Sequence, residues 1–289
     1  MRRRVFMMAA GLLPWAARAR GGRTVDVLYA GSLLTAMERG IGPAFDATGT
    51  DVFRGYAGGS GALANQIAAG LRRADIYISA DPALNLRLGP AHGDHVRWYA
   101  PFAQSPLVLG YDPRGRFAAA LQSDPWYLAL QRPGVRIGRT DPLLDPKGAL
   151  TVKLLHQAET YYRQPGLADR ILHAGDGDRQ VRPEENLVGR LQSGQIDVGF
   201  FYATETAALH IPAMTLPPAL ALSARYTVTI LRDAPNPEGA ERLVAFLLGA
   251  RGRTVLAQYG LQVPGPHEAP AVMGDPAAVP PALRPLLRP

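Results

Sequence analysis

From Thr24 onward, apolar runs short enough for strands alternate with runs whose apolar residues recur at helical spacing, and this alternation limits the folds open to the chain. Val25–Ala30 reads as a buried strand, and Leu34, Met37, Ile41, Ala44 and Phe45 then share a helical face. Gly40, Gly42 and Pro43 predict a break within that helix. Strands are expected at 51–56, 74–79 and 105–111, with helices at 61–71 and 82–88 between them. The pattern restarts with strands at 135–138, 196–201 and 225–231 and helices at 148–162, 184–192 and 237–248, the last capped by Asn236. Alternation of this kind implies α/β architecture, with parallel sheets covered on both faces. The restart implies two lobes, and ligands in such folds bind beyond the carboxyl ends of strands, often between domains.

The N-terminus is punctuated differently. Arg2, Arg3 and Arg4 precede an apolar stretch, Val5–Ala17, that is too short for the roughly 18–20 residues of a membrane span. Ala17-Arg18-Ala19 offers a small-residue cleavage site, so residues 1–19 read as a secretory signal peptide. Arg3-Arg4-Val5-Phe6-Met7 has the look of a twin-arginine signal, with the Sec route as the alternative. Loss of the leader lowers the formal charge from +7 to +3. The remaining arginines are scattered, which argues against a nucleic-acid partner. Apolar residues at 47% suffice for real cores, and the absence of cysteine excludes disulfides, thiolate metal sites and cysteine nucleophiles. Eight prolines from Pro264 onward predict an extended or mobile tail over 266–289.

Two segments share one plan. In Tyr29-Ala-Gly-Ser32-Leu33 and in Gly58-Gly59-Ser60-Gly61-Ala62-Leu63, a strand ends, glycine turns the chain and serine opens a helix. Each hydroxyl lies at a helix start where free backbone N–H groups and the macrodipole favour an anion. Two such starts brought together would form an oxyanion site of neutral donors, although either serine alone is an ordinary cap.

The run AGSLLTAMERGIGPAF…GYAGGSGALANQIAAG…ADIYISAD resembles the exported solute-binding proteins of ABC importers, most of all their molybdate/tungstate-binding group. The resemblance covers about residues 24–260 and continues in Thr140-Asp141-Pro142…Asp145-Pro146-Lys147-Gly148 and in Gly194–Thr204. It implies a two-lobed periplasmic binding protein of type II-like fold, with the ligand in the inter-lobe cleft. The lobes would be residues 24–105 plus 232–265 and residues 106–231, with crossings near Ser105 and Arg232. It further implies anion contacts from Ser32, Ser60, Tyr202 and the backbone at Lys147 and near Leu187, and no cofactor. The expected partners are a small oxyanion and a membrane permease, and the expected state is a periplasmic monomer. In the octahedral branch of the group, an aspartate of the DP-x-G segment and a glutamate just before the tyrosine complete the metal shell. Asp145 fits the first, but Phe201 stands at the second, which predicts tetrahedral binding through hydrogen bonds.

Other readings stay open. The same module could serve sulfate, thiosulfate or phosphate, or act as an extracytoplasmic sensor. Gly59-x-Gly61-x-x-Ala64 with Asp81 loosely fits a dinucleotide fingerprint and would suit an exported oxidoreductase. His92-x-x-His95 lies in a Gly/Pro-rich turn and reads as surface rather than as metal ligands.

Overall fold

A computed structural model describes residues 22–174, 177–265 and 268–289, so the signal peptide expected at 1–19 lies outside the described residues. Among the described residues nine strands form one sheet, seven of them on a continuous pairing path. They are β1 (Arg23–Ala30), β2 (Asp51–Gly58), β3 (Ile76–Ser79), β4 (Trp98–Tyr111), β5 (Ile137–Gly138), β6 (Val198–Tyr202), β7 (Ala213–Met214), β8 (Ser223–Ile230) and β9 (Met273–Gly274). The order is β2-β1-β3-β8-β4-β6-β5, with β7 and β9 also paired to β4. β1 lies parallel to both β2 and β3, and its Val25 and Val27 pack into one core cluster while Leu28 packs into another. Burial on both faces explains why this strand reads as a continuous apolar run.

The expectation of parallel sheets holds only at the two ends of the path. β8 is antiparallel to β3 and β4, and β4 is antiparallel to β6. The reason is directional: the chain leaves the first group of strands along β4 and returns to it along β8, so the two run opposite ways. β4 pairs with β8 through residues 100–106 and with β6 through 107–111, which puts the outward passage at Ser105–Leu107. Residues 227–230 of β8 pair with 76–79, so this part of the segment expected in the second lobe runs with first-lobe strands.

The five longest helices among the described residues are α1 (Ser60–Ala68), α2 (Pro146–Tyr162), α3 (Glu184–Gln192), α4 (Pro237–Leu248) and α5 (Ala250–Gln258). Asp145 caps α2 by accepting from the Lys147 N–H at 2.8 Å, and Pro146 takes the first position, where its missing N–H costs nothing. Asn236 caps α4 through the Gly239 N–H at 3.2 Å. The break expected near Pro43 is absorbed instead by a π-helical turn over Met37–Ile41, after which helix continues to Asp46. The spacing did not reveal α5, whose Leu256 is buried but whose remaining surface is mostly polar.

The proline-rich tail is not loose. Val279, Leu283 and Leu287 are buried in the main core, and β9 pairs with the start of β4. Pro276, Pro281 and Pro285 sit in short 3-10 turns at 276–278 and 281–286. Leu283→Ala should therefore destabilise the protein by about 2–5 kcal/mol, as core truncations do. Chemical denaturation of the variant checks this, and an unchanged midpoint would mean the tail contributes nothing to the core. No helix among the described residues is long and apolar enough to cross a membrane.

Candidate functional site

The two serine-bearing helix starts come together at the carboxyl ends of β1 and β2, against segments that follow β5 and precede β6. Ser32 is almost fully buried and its hydroxyl lies 2.9 Å from the Tyr226 hydroxyl of β8. Ser60 is fully buried, and its Oγ accepts from the Ala80 N–H at 3.1 Å. The first turn of α1 also touches the opposite side: the Ala62 N–H donates to the Leu144 carbonyl at 3.0 Å. A Cβ at Gly61 would stand 2.8 Å from that carbonyl oxygen, and one at Gly59 would stand 2.9 Å from it. These glycines permit the close approach. Gly61→Ala should hold the two sides apart and weaken capture of any ligand between them. Small-angle scattering should show a more extended particle, and an unchanged profile would show that the contact does not control closure.

The free N–H groups of the first helix start are engaged by a carboxylate. Glu184 Oε2 accepts from the Gly31 N–H at 2.9 Å and Oε1 from the Ser32 N–H at 3.0 Å. Glu184 opens α3, so a side chain from one side of the cleft seats on an anion-favouring backbone from the other. Burial first, and then the neighbouring Asp145 charge, pushes the Glu184 carboxyl well above the ordinary glutamate range, although Lys147 opposes this. Asp145 itself accepts from the Thr140 hydroxyl at 3.0 Å and the Lys147 N–H at 2.8 Å, both through Oδ1, leaving Oδ2 towards Gly59.

Lys147, expected to contribute its backbone N–H, is wholly buried, and that N–H is already given to Asp145. Its ammonium lies 2.8 Å from Glu205 Oε1 and 3.4 Å from Glu184 Oε1. Burial works to lower its pKa, but the carboxylates of Glu205, Glu184 and Asp145 outweigh that and hold it above the ordinary lysine range. The other Glu205 oxygen accepts from the Tyr202 N–H at 2.7 Å. Tyr202 ends β6 and is fully buried, and its hydroxyl has no hydrogen-bond partner among the described residues. Burial keeps Tyr202 and Tyr226 protonated far above the usual phenol range, so both remain neutral donors.

The structure thus brings Ser32, Ser60, Lys147 and Tyr202 to one region, together with Asp145. The side chain of Leu187, expected to act through the backbone nearby, packs with Val108, Leu191, Ile196 and Phe201 in a separate apolar cluster, and the α3 side chain that reaches the cleft is Glu184. Phe201 is buried in the same cluster, so no ligand group comes from its position. A second carboxylate, that of Glu184 on a different segment, stands near Asp145. Glu184, Glu205 and Tyr226 carry no site motif in the sequence. Glu184 and Glu205 each left one signal there, as an acidic residue in a first helical turn, and that is also an ordinary surface pattern. A cavity of about 300 Å³ adjoins the site, bounded by Gly59 and Ala62 on one side and by Asp145, Arg182 and Glu184 on the other. Among the described residues no cluster of three or more His, Asp or Glu side chains is arranged to hold a cation.

The family model for bacterial extracellular solute-binding proteins matches residues 25–262. The chain belongs to that family. Among relatives of this solute-binding protein is an uncharacterized solute-binding protein of Petrotoga mobilis, 29% identical over 84% of this chain and 85% of the relative. A molybdate/tungstate-binding protein of Thermococcus kodakarensis is 27% identical over 81% of this chain and 80% of its own length. The solved structure of the Azotobacter vinelandii periplasmic molybdate-binding protein superposes with a TM-score of 0.65 at 19% identity, covering 83% of this chain and all of that one. The expected two-lobed periplasmic binding protein fold is therefore present, and the family to which the chain belongs binds solutes rather than catalysing reactions.

Proposed function

We propose that this solute-binding protein captures molybdate or tungstate in the cleft between its lobes and delivers it to the permease of an ABC importer. The observation that carries the reading is the carboxyl pair Asp145–Glu184 standing among donors suited to an oxyanion. Ser32, Ser60, Tyr202 and Tyr226 can donate to oxo groups. The two carboxylates cannot donate when ionised, and they repel an anion held by hydrogen bonds alone. They make sense against an anion whose central atom accepts further oxygen ligands. Molybdenum(VI) and tungsten(VI) do so, whereas the sulfur of sulfate and the phosphorus of phosphate keep four oxygens. On this reading the bound anion is six-coordinate, with Asp145 and Glu184 as the added ligands, where Phe201 alone suggests tetrahedral binding. Lobe 1 would comprise residues 22–105 with β8 and the C-terminal segment, and lobe 2 the residues between. A leader at 1–19, of twin-arginine type, would deliver a monomer to the periplasm.

Homologues named for molybdate and tungstate support the choice of anion. Calorimetric titration with molybdate, tungstate, sulfate and phosphate tests it. X-ray absorption at the molybdenum edge distinguishes six oxygen neighbours from four. Tight sulfate or phosphate binding with no response to molybdate or tungstate would overturn the reading.

A further inference from the structure

The cavity of about 300 Å³ beside the site reaches solvent where Tyr56 and Glu185, both exposed, line it, so an anion bound for Asp145 and Glu184 passes that way. Asp141, Asp145, Glu184 and Glu185 all line the cavity, and none of these acids attracts a dianion. Among the described residues that line it, Arg182 alone has a cationic side chain. Arg182 is held in place. Its backbone N–H donates to the Arg139 carbonyl, just after β5, at 2.9 Å. Its Nη1 donates to the Val181 carbonyl at 2.8 Å, and its Nε is buried. Among the described residues no carboxylate forms an ion pair with it, so its charge is not cancelled at contact distance.

A second guanidinium stands on the opposite side of the cleft. Arg72 follows α1, and its Nε donates to Gln66 Oε1 at 3.2 Å while its Cζ lies 3.6 Å from the centre of the Tyr56 ring. Gln66 and Tyr56 both line the cavity, so Arg72 is fixed against its wall. Resting on the proposed capture of molybdate or tungstate, we infer that Arg182 and Arg72 are steering residues on the two lips of the cleft, which draw the dianion past the acidic lining without ligating it. A guanidinium keeps its charge at any working pH, and its pull on a dianion reaches over about one Debye length. Such a charge changes how fast the anion arrives and how salt affects that rate, whereas a group that touches the bound anion changes how long it stays.

The test measures stopped-flow association and dissociation of tungstate at about 10 mM and about 0.5 M ionic strength, where the Debye length falls from about 30 Å to a few ångströms. It compares the parent with Arg182→Gln, Arg182→Lys, Arg72→Gln and Arg163→Gln. Arg163 is an exposed arginine just past the far end of the 17-residue helix α2, about 25 Å from Asp145, so its variant reads the effect of net charge alone. At low salt Arg182→Gln and Arg72→Gln should each slow association about fivefold, the pull of one unit charge on a dianion about 8 Å away in water. That difference should vanish at high salt, with the dissociation rate unchanged, and Arg182→Lys should associate as the parent does. Loss of packing would show none of this salt dependence, and Arg72→Gln carries the test should Arg182→Gln fail to fold. Association slowed no more than in Arg163→Gln, a slowing that persists at high salt, or a change confined to dissociation would overturn the inference while leaving the proposed function intact. A folded parent that binds neither tungstate nor molybdate would overturn both.

Discussion

Glu184→Gln should abolish tight tungstate binding while making the ligand-free protein more stable at alkaline pH. The amide keeps an oxygen to accept from Gly31 and Ser32, so the helix start stays satisfied. What disappears is a charged oxygen able to bond the metal. Losing an outer-shell partner costs about 10–100-fold in metal affinity, so losing a direct ligand should cost on the order of a hundredfold or more. The molybdenum edge should report fewer oxygen neighbours, and discrimination against sulfate should shrink because a repelling charge has gone. Stability should move the other way. The folded protein holds the Glu184 proton to higher pH than the unfolded chain, whose glutamate titrates near 4.5. Folded-state stability is therefore greatest below that value and falls as pH rises through it towards the raised native value. The neutral amide escapes this loss, while Lys147 keeps Glu205 at 2.8 Å. Thermal melts of parent and variant should coincide near pH 4 and separate in favour of the variant at pH 8. Unchanged tungstate affinity would remove Glu184 from the ligand set.

Tyr202→Phe should speed ligand release and stabilise the ligand-free protein. The hydroxyl is fully buried without a protein partner among the described residues, a condition that costs about 1–3 kcal/mol, and phenylalanine keeps the ring that packs 6.2 Å from Tyr226. Its melting temperature should therefore rise. In the complex, the same hydroxyl would donate to an oxo group of the dianion. A hydrogen bond to a charged group contributes about 1.5–3 kcal/mol, so affinity should fall roughly tenfold to over a hundredfold. The loss should appear mainly in the dissociation rate, because the serine-bearing helix starts that first meet the anion are unchanged. Stopped-flow displacement measures it. Release at the parental rate would assign the hydroxyl a role outside the ligand set.

Much of this protein was legible from local pattern. Strand and helix alternation placed β1, β2, α3 and α4 within two residues of their observed limits, because each buries its own apolar face at its own period. The repeated strand–glycine–serine–helix plan marked Ser32 and Ser60 because the requirements of a helix start are met by adjacent residues. The direction of β4 and β8, the folding of the proline tail onto the core and the source of the second carboxylate were decided by tertiary structure alone. Glu184 lies 39 residues from Asp145 in the chain, and its partners Gly31 and Ser32 are 153 and 152 residues away. Lys147 and Glu205 are separated by 58 residues. At such separations neither residue carries a local trace of its partner. Each reads as an ordinary solvated charge, and only packing α2, α3 and the helix after β6 against the first helix start removes the water that makes the charge ordinary.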